Sequence, residues 1–209
     1  MSKFLKSKEY CFLFIIPVLF LFIIIFYSHI PEQVWAASSI SNPTSQKNAT
    51  TTKNTDFLLY DNETIGFKMQ YPSTWKSFEL PNTTSNTIRF VSPFENSSDR
   101  YRETVDVSLF ILNNTSLDLL ITNTTKVLKG TLNDFQIIQS NTTTFAGYPT
   151  WNLVYIYSDP MIGMTKSMLT SILQNDMFLY MIKYFAKPAD YASSLPIVNK
   201  MIDSFKLYS

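Results

Sequence analysis

Cysteine and histidine are almost missing from this 209-residue chain, with one of each. Cys11 lies in an N-terminal apolar run and His29 just after it, so the chain beyond residue 37 has neither. Disulfides, thiolate nucleophiles, zinc-finger chemistry and imidazole general bases are thereby excluded from that portion. Charge of one sign is also lacking. The chain has 17 Lys and Arg against 16 Asp and Glu, and the two are equal once the leader is set aside. Without a basic excess there is no electrostatic case for nucleic acid as a partner. Glycine is scarce, with four in all: Gly130, Gly147 and Gly163 are candidate breaks between elements, and Gly66 opens a strand.

What is present begins with Lys3, Lys6 and Lys8 ahead of an apolar run, Cys11 to Tyr27, of 17 residues. As a helix it spans roughly 25 Å, near the lower limit for crossing a bilayer. Val34-Trp35-Ala36-Ala37 offers small residues for signal cleavage. Residues 1–37 are read as a cleaved signal peptide or an uncleaved membrane anchor, and both put the remainder outside the cytoplasm. Residues 38–56 form a linker; 12 of the 18 residues from Ser38 to Thr55 are Ser, Thr or Asn. Such a stretch cannot bury enough apolar surface to offset its ordering entropy. Asn-x-Ser/Thr sequons occur at Asn48, Asn62, Asn82, Asn96, Asn113, Asn114, Asn123 and Asn141, candidate glycosylation sites in an exported chain.

Residues 57–209 make the folded domain. Phe57–Tyr60 and Ile65–Tyr71 read as paired strands, the second alternating Phe67, Met69 and Tyr71 with Lys68 and Gln70. Pro72 ends that strand and Trp75 anchors a core. Further strands are expected at 77–80, 87–91 and 103–112, the last burying Val105, Val107 and Leu109 and turning Asp106 outward. Ser116 starts a helix that Gly130 ends. Strands over 135–145, 150–158, 164–173 and 177–186 follow. A helical turn at Pro188 and a second start at Ser194 close the chain. Alternating aromatics Trp151, Tyr155, Tyr157, Tyr180 and Tyr184 read as sheet core with hydroxyls reaching a rim, or as a binding platform. Strands apolar on both sides call for cover on both faces. The expected fold is α+β: one antiparallel sheet between two helical layers.

Several blocks from Phe57 to Leu207 carry a family resemblance. Gly66-Phe67, Tyr71-Pro72-Ser73-Thr74-Trp75, Phe90-Val91-Ser92-Pro93, Ala146-Gly147-Tyr148-Pro149 and Met201-Ile202-Asp203-Ser204-Phe205 together resemble the PsbP-like domain, here in a non-photosynthetic microbial form. The resemblance implies an α/β/α sandwich, shared with nuclear import factors of the Mog type. It also implies a non-catalytic accessory or assembly role beside a membrane complex, with calcium or manganese as a metal known in the family. The histidine ligands of plant members have no counterpart beyond residue 37, and no cofactor is otherwise expected.

Three functions follow as expectations. The first is an exported, non-catalytic domain that binds or stabilises a membrane-protein partner at the outer face of the membrane. The apolar turn Met161-Ile162-Gly163-Met164 is its candidate contact, centred on Met161 and Ile162. The second is a metal- or small-ligand-binding accessory domain, with Glu95, Asp99, Glu103 and Asp106 as candidate oxygen ligands. The third is a carboxylate-based hydrolase, for which Asp106 has no partner assignable from sequence.

Overall fold

The computed structural model describes residues 56–80, 85–95 and 101–208. The leader and linker assignments, Asn48, Asn82, Asn96 and Asp99 fall outside the described residues. The chain divides into Met1–Thr55 and Asp56–Ser209, and only the second unit is described below.

Strands β1 (Phe57–Asn62) and β2 (Phe67–Pro72) form a hairpin. β3 (Lys76–Leu80), β4 (Asn86–Val91) and β5 (Thr104–Ile111) follow. Helix α1 (Leu117–Thr131) leads to four long strands: β6 (Asn133–Phe145), β7 (Tyr148–Asp159), β8 (Gly163–Gln174) and β9 (Phe178–Ala186). Helix α2 (Pro188–Asp203) and the short β10 (Lys206–Leu207) end the domain. All pairings are antiparallel.

The strands make two sheets, not the single one expected: seven strands in the order β3-β4-β5-β9-β8-β7-β6, and a separate three in the order β1-β2-β10. The alternation of β2 shows that one side is buried. It does not show against which sheet, because the closing strand β10 is two residues long and far off in sequence. Phe67 and Met69 of β2, Ile88 and Phe90 of β4, Val105 and Val107 of β5, and Val198 and Met201 of α2 meet in one core. The Phe67 and Phe205 rings stack at 5.2 Å within it.

Two helix boundaries differ from expectation. Gly130 is not a C-cap. The helix runs through it, Leu132 N–H closes the last turn on Leu128 O, and Leu132 is the cap. At the C-terminus one helix replaces two starts, with Pro196 inside it. Pro196 is exposed, and flanking turns bury Tyr191, Val198 and Met201. That packing holds the helix together across the missing donor.

Strand β5 also departs from the one-sided reading. From Thr104 to Ser108 both faces are buried, and Asp106, expected outside, is 3% exposed.

Candidate functional site

On β5 the residues between the apolar positions define the less usual face of the large sheet. Antiparallel register sets Arg89 of β4 opposite Asp106 of β5, and Asp106 opposite Lys183 of β9. Three ionisable side chains thus stand in one row across three strands, each no more than 5% exposed. Arg89 donates to both carboxylate oxygens of Asp106, Nε to Oδ1 and Nη2 to Oδ2, each at 2.8 Å. Such a bidentate pair is strong and directional. Burial opposes the Arg89 charge, but the Asp106 carboxylate more than offsets it, so its pKa is raised.

Lys183 is placed differently. Its ammonium lies 5.0 Å from the centre of the Phe185 ring and makes no ion pair within 4.0 Å among the described residues. Burial lowers its pKa to about 8; Asp106 pulls the other way and Arg89 adds to the lowering. The Phe185 ring also faces the Arg89 guanidinium and the Tyr101 ring. Tyr101, Tyr155 and Tyr157 are all pushed well above the ordinary tyrosine value, chiefly by burial. This is a desolvated polar layer inside the fold.

The other carboxylates have structural partners. Glu103, 4% exposed, accepts a 2.6 Å bond from the Ser92 hydroxyl, while Ser92 N–H donates to Glu103 O. Asp159 accepts from the amides of Met161 and Ile162 through Oδ1, fixing the β7–β8 turn. Glu95 is exposed on the segment after β4. Among the described residues no three His, Cys, Asp or Glu side chains converge on a point where a metal could sit. Of the four candidate ligands, Asp106 is bound to Arg89 and Glu103 to Ser92, and the fold does not bring them together with Glu95.

The aromatic set is core. Trp151, Tyr155, Tyr157, Tyr180 and Tyr184 are each at most 5% exposed. The Tyr180 and Tyr184 hydroxyls do not reach a rim as expected: Tyr180 donates to Ile65 O, and Tyr184 to Tyr191 O, both in buried bonds, while Trp151 Nε1 donates to the Ser140 hydroxyl on β6. The candidate contact behaves otherwise. Met161 is 72% exposed and Met164 44%, with Ile162 half-buried between them. No described helix is long and apolar enough to cross a membrane.

The described sequons differ in access. Asn113, Asn114 and Asn141 are exposed, and Asn123 is half-buried on α1. Asn62 is committed to its turn, donating to Tyr60 Oη and accepting from Ile65 N–H. Arg89 and Lys183 were missed by sequence reading. Alternation showed that they lie in strands, but the register that lines them up with Asp106 is not local.

Comparison with solved structures shows the same fold in several proteins. Cyanobacterial PsbP (CyanoP) from Synechocystis is 12% identical, covers 78% of this chain and 98% of its own, and superposes with a TM-score of 0.55. PA94 from Pseudomonas aeruginosa, a protein of unknown function described as a putative regulator, is also 12% identical, over 71% of this chain and 94% of its own, at 0.52. LpqN from Mycobacterium tuberculosis, described as involved in cell envelope biogenesis, is 14% identical over 75% of this chain and 87% of its own, at 0.52. No functionally curated protein matches the sequence. The sequence matches the family model of PsbP-like proteins from residue 14 to residue 207, and the chain belongs to that family.

Proposed function

We propose that this chain is an exported, non-catalytic PsbP-like domain that binds or stabilises a protein partner at the outer face of the membrane. The carrying observation is the β7–β8 hairpin tip, with Met161 72% and Met164 44% exposed on a turn that the Asp159 carboxylate holds in shape. A preformed apolar tip costs little ordering entropy on contact, and thioethers adapt to an uneven partner surface. The structural partners of Asp106 and Glu103 argue against carboxylate hydrolysis, since both side chains are buried and bonded to Arg89 and Ser92. The relative described as acting in cell envelope biogenesis supports an extracytoplasmic place, as does the apolar leader ahead of the domain.

The same reading takes the two helices to cover opposite faces of the large sheet. The Tyr191 ring of α2 packs against that of Tyr184, tilted, with centres 4.9 Å apart, on the face shared with Ile182 and Val107. Leu120, Val127 and Leu128 of α1 lie outside that core cluster, and α1 packs on β6 and β7. Export also makes the exposed Asn113 and Asn114 the expected glycan carriers, and hexose-bearing peptides in a digest of the native protein would show it.

The test is a pull-down from solubilised membranes with the full chain and with Met161→Ser/Ile162→Ser. The specific partner should be recovered at least about tenfold less by the double variant, the loss expected when an apolar anchor worth about 1.4 kcal/mol or more is removed. Equal recovery by both proteins overturns the reading.

A further inference from the structure

Sulfur in the domain comes only as thioether. Cys11 is the one cysteine of the chain and lies in the leader, whereas seven of the eight methionines lie beyond it. Met69, Met181 and Met201 are buried and Met168 is half-buried. Met161, Met164 and Met177 are exposed, Met161 most of all at 72%. A thioether within reach of water is the softest nucleophile left when no thiol competes for an oxidant. The exposed three are placed unequally. Met161 and Met164 flank Ile162 and Gly163 on the β7–β8 tip, where Met164 pairs with Ser158. Met177 sits on the β8–β9 turn, beside the pair of Gln174 with Phe178. The length of β8 from Met164 to Gln174 is roughly 33 Å, so Met177 is exposed but far from the tip.

We propose that Met161 and Met164 form an oxidation site, where peroxide turns the thioethers into sulfoxides and releases the partner. The proposal rests on the partner reading above and adds its regulation. In the step a sulfur lone pair attacks one oxygen of hydrogen peroxide and the O–O bond breaks. The proton of the transferred hydroxyl leaves with the other oxygen as water, so the thioether is oxidised and the peroxide reduced. The product is a polar, chiral side chain with a hydrogen-bond-accepting oxygen. Burying it against an apolar partner leaves that oxygen without a donor. The turn itself does not depend on sulfur. Asp159 Oδ1 holds it through the amides of Met161 and Ile162, and Gly163 supplies its φ of +78°. Oxidation therefore changes the chemistry of the tip and keeps its shape. Sulfoxide reductases fed by a dithiol reverse the change, each epimer needing its own enzyme.

The test treats the full chain with dilute hydrogen peroxide and maps its peptides by mass. Met161 and Met164 should each gain one oxygen at least about tenfold faster than the buried Met69, Met181 and Met201, with an unchanged circular dichroism spectrum. In the pull-down from solubilised membranes the oxidised chain should recover at least about tenfold less of the specific partner. The two reductases with dithiothreitol should restore the recovery. Met177→Leu removes the exposed thioether outside the tip. Untreated, this variant should recover the partner as the parent does; oxidised, it should lose it to the same degree. Equal oxidation of buried and tip methionines, recovery by Met177→Leu that survives oxidation, or a loss that the reductases do not reverse overturns the proposal. If the oxidised chain keeps a partner that Met161→Ser/Ile162→Ser loses, the oxidation proposal alone fails. If both keep it, the partner reading fails as well.

Discussion

Gly66 shows how one residue can be fixed by a contact more than a hundred positions away. Its φ of +84° is in the region that only glycine enters freely, and a Cβ there would lie 2.7 Å from the Tyr180 hydroxyl oxygen. That hydroxyl is held in place by donating to Ile65 O. Gly66→Ala should therefore cost about 2–4 kcal/mol, combining left-handed strain with the displaced hydrogen bond. In a Tyr180→Phe background the steric part is relieved, so the same substitution should cost less. Urea unfolding of the four proteins of this cycle measures the difference, and an equal cost in both backgrounds would show that Tyr180 plays no part. The sequence marks Gly66 as the opening of a strand, and it does open one. Tyr180 as the reason was beyond reach, since periodicity reports which face a side chain takes and not what it meets. The same limit hid the buried charged row: Asp106 is visible as an alternate residue of β5, but its partner Arg89 is 17 positions away.

Elements were legible where local chemistry decides them. The Ser116 start of α1 is present, its hydroxyl accepting from Leu119 N–H. Every strand expected between Phe57 and Ala186 appears, shifted by a few residues at most. Boundaries failed where packing overrode local preference, at Gly130 and across Pro196. The β6–β7 hairpin is a case where local chemistry is imperfect. Phe145 pairs with Tyr148, leaving a two-residue turn of Ala146 and Gly147 with φ of 49° and 86°. A primed turn of this kind suits glycine or asparagine at its first position, and alanine is strained there. Ala146→Gly should thus raise stability by about 0.5–1 kcal/mol, after allowance for the greater freedom of the unfolded chain. Ala146→Val should lower it, because β-branching worsens the same conformation. Thermal unfolding midpoints of the two variants should bracket the parent, and a midpoint for Ala146→Gly below the parent would refute the strain.

For the whole molecule, the buried polar layer and the missing histidine together shape how stability responds to pH. Lys183 titrates near 8 in the fold, mainly because burial disfavours its charge, against about 10.5 when exposed. Between those values the unfolded chain binds more protons than the folded one, so stability must rise with pH across that window. The gain is bounded at about 3 kcal/mol by the size of the shift. Tyr155, Tyr157 and Tyr184 act in the opposite sense: burial pushes each well above the ordinary tyrosine value. Unfolded tyrosines ionise from about pH 10 upward while the buried ones do not, so the folded state then holds the extra protons and stability falls. Little else intrudes, because the only histidine and the only cysteine both precede residue 37. The urea midpoint should therefore climb from pH 7.5, peak near pH 10 and then drop. Lys183→Met keeps the side-chain volume and removes the buried amine. It should flatten the climb and exceed the parent at pH 7.5, since a buried charge without an ion pair is replaced by a packed apolar chain. A parent midpoint that declines between pH 7.5 and 9.5, or a Lys183→Met profile with the same rise as the parent, would show that the amine is solvated and that the row across β4, β5 and β9 is not the dry layer described.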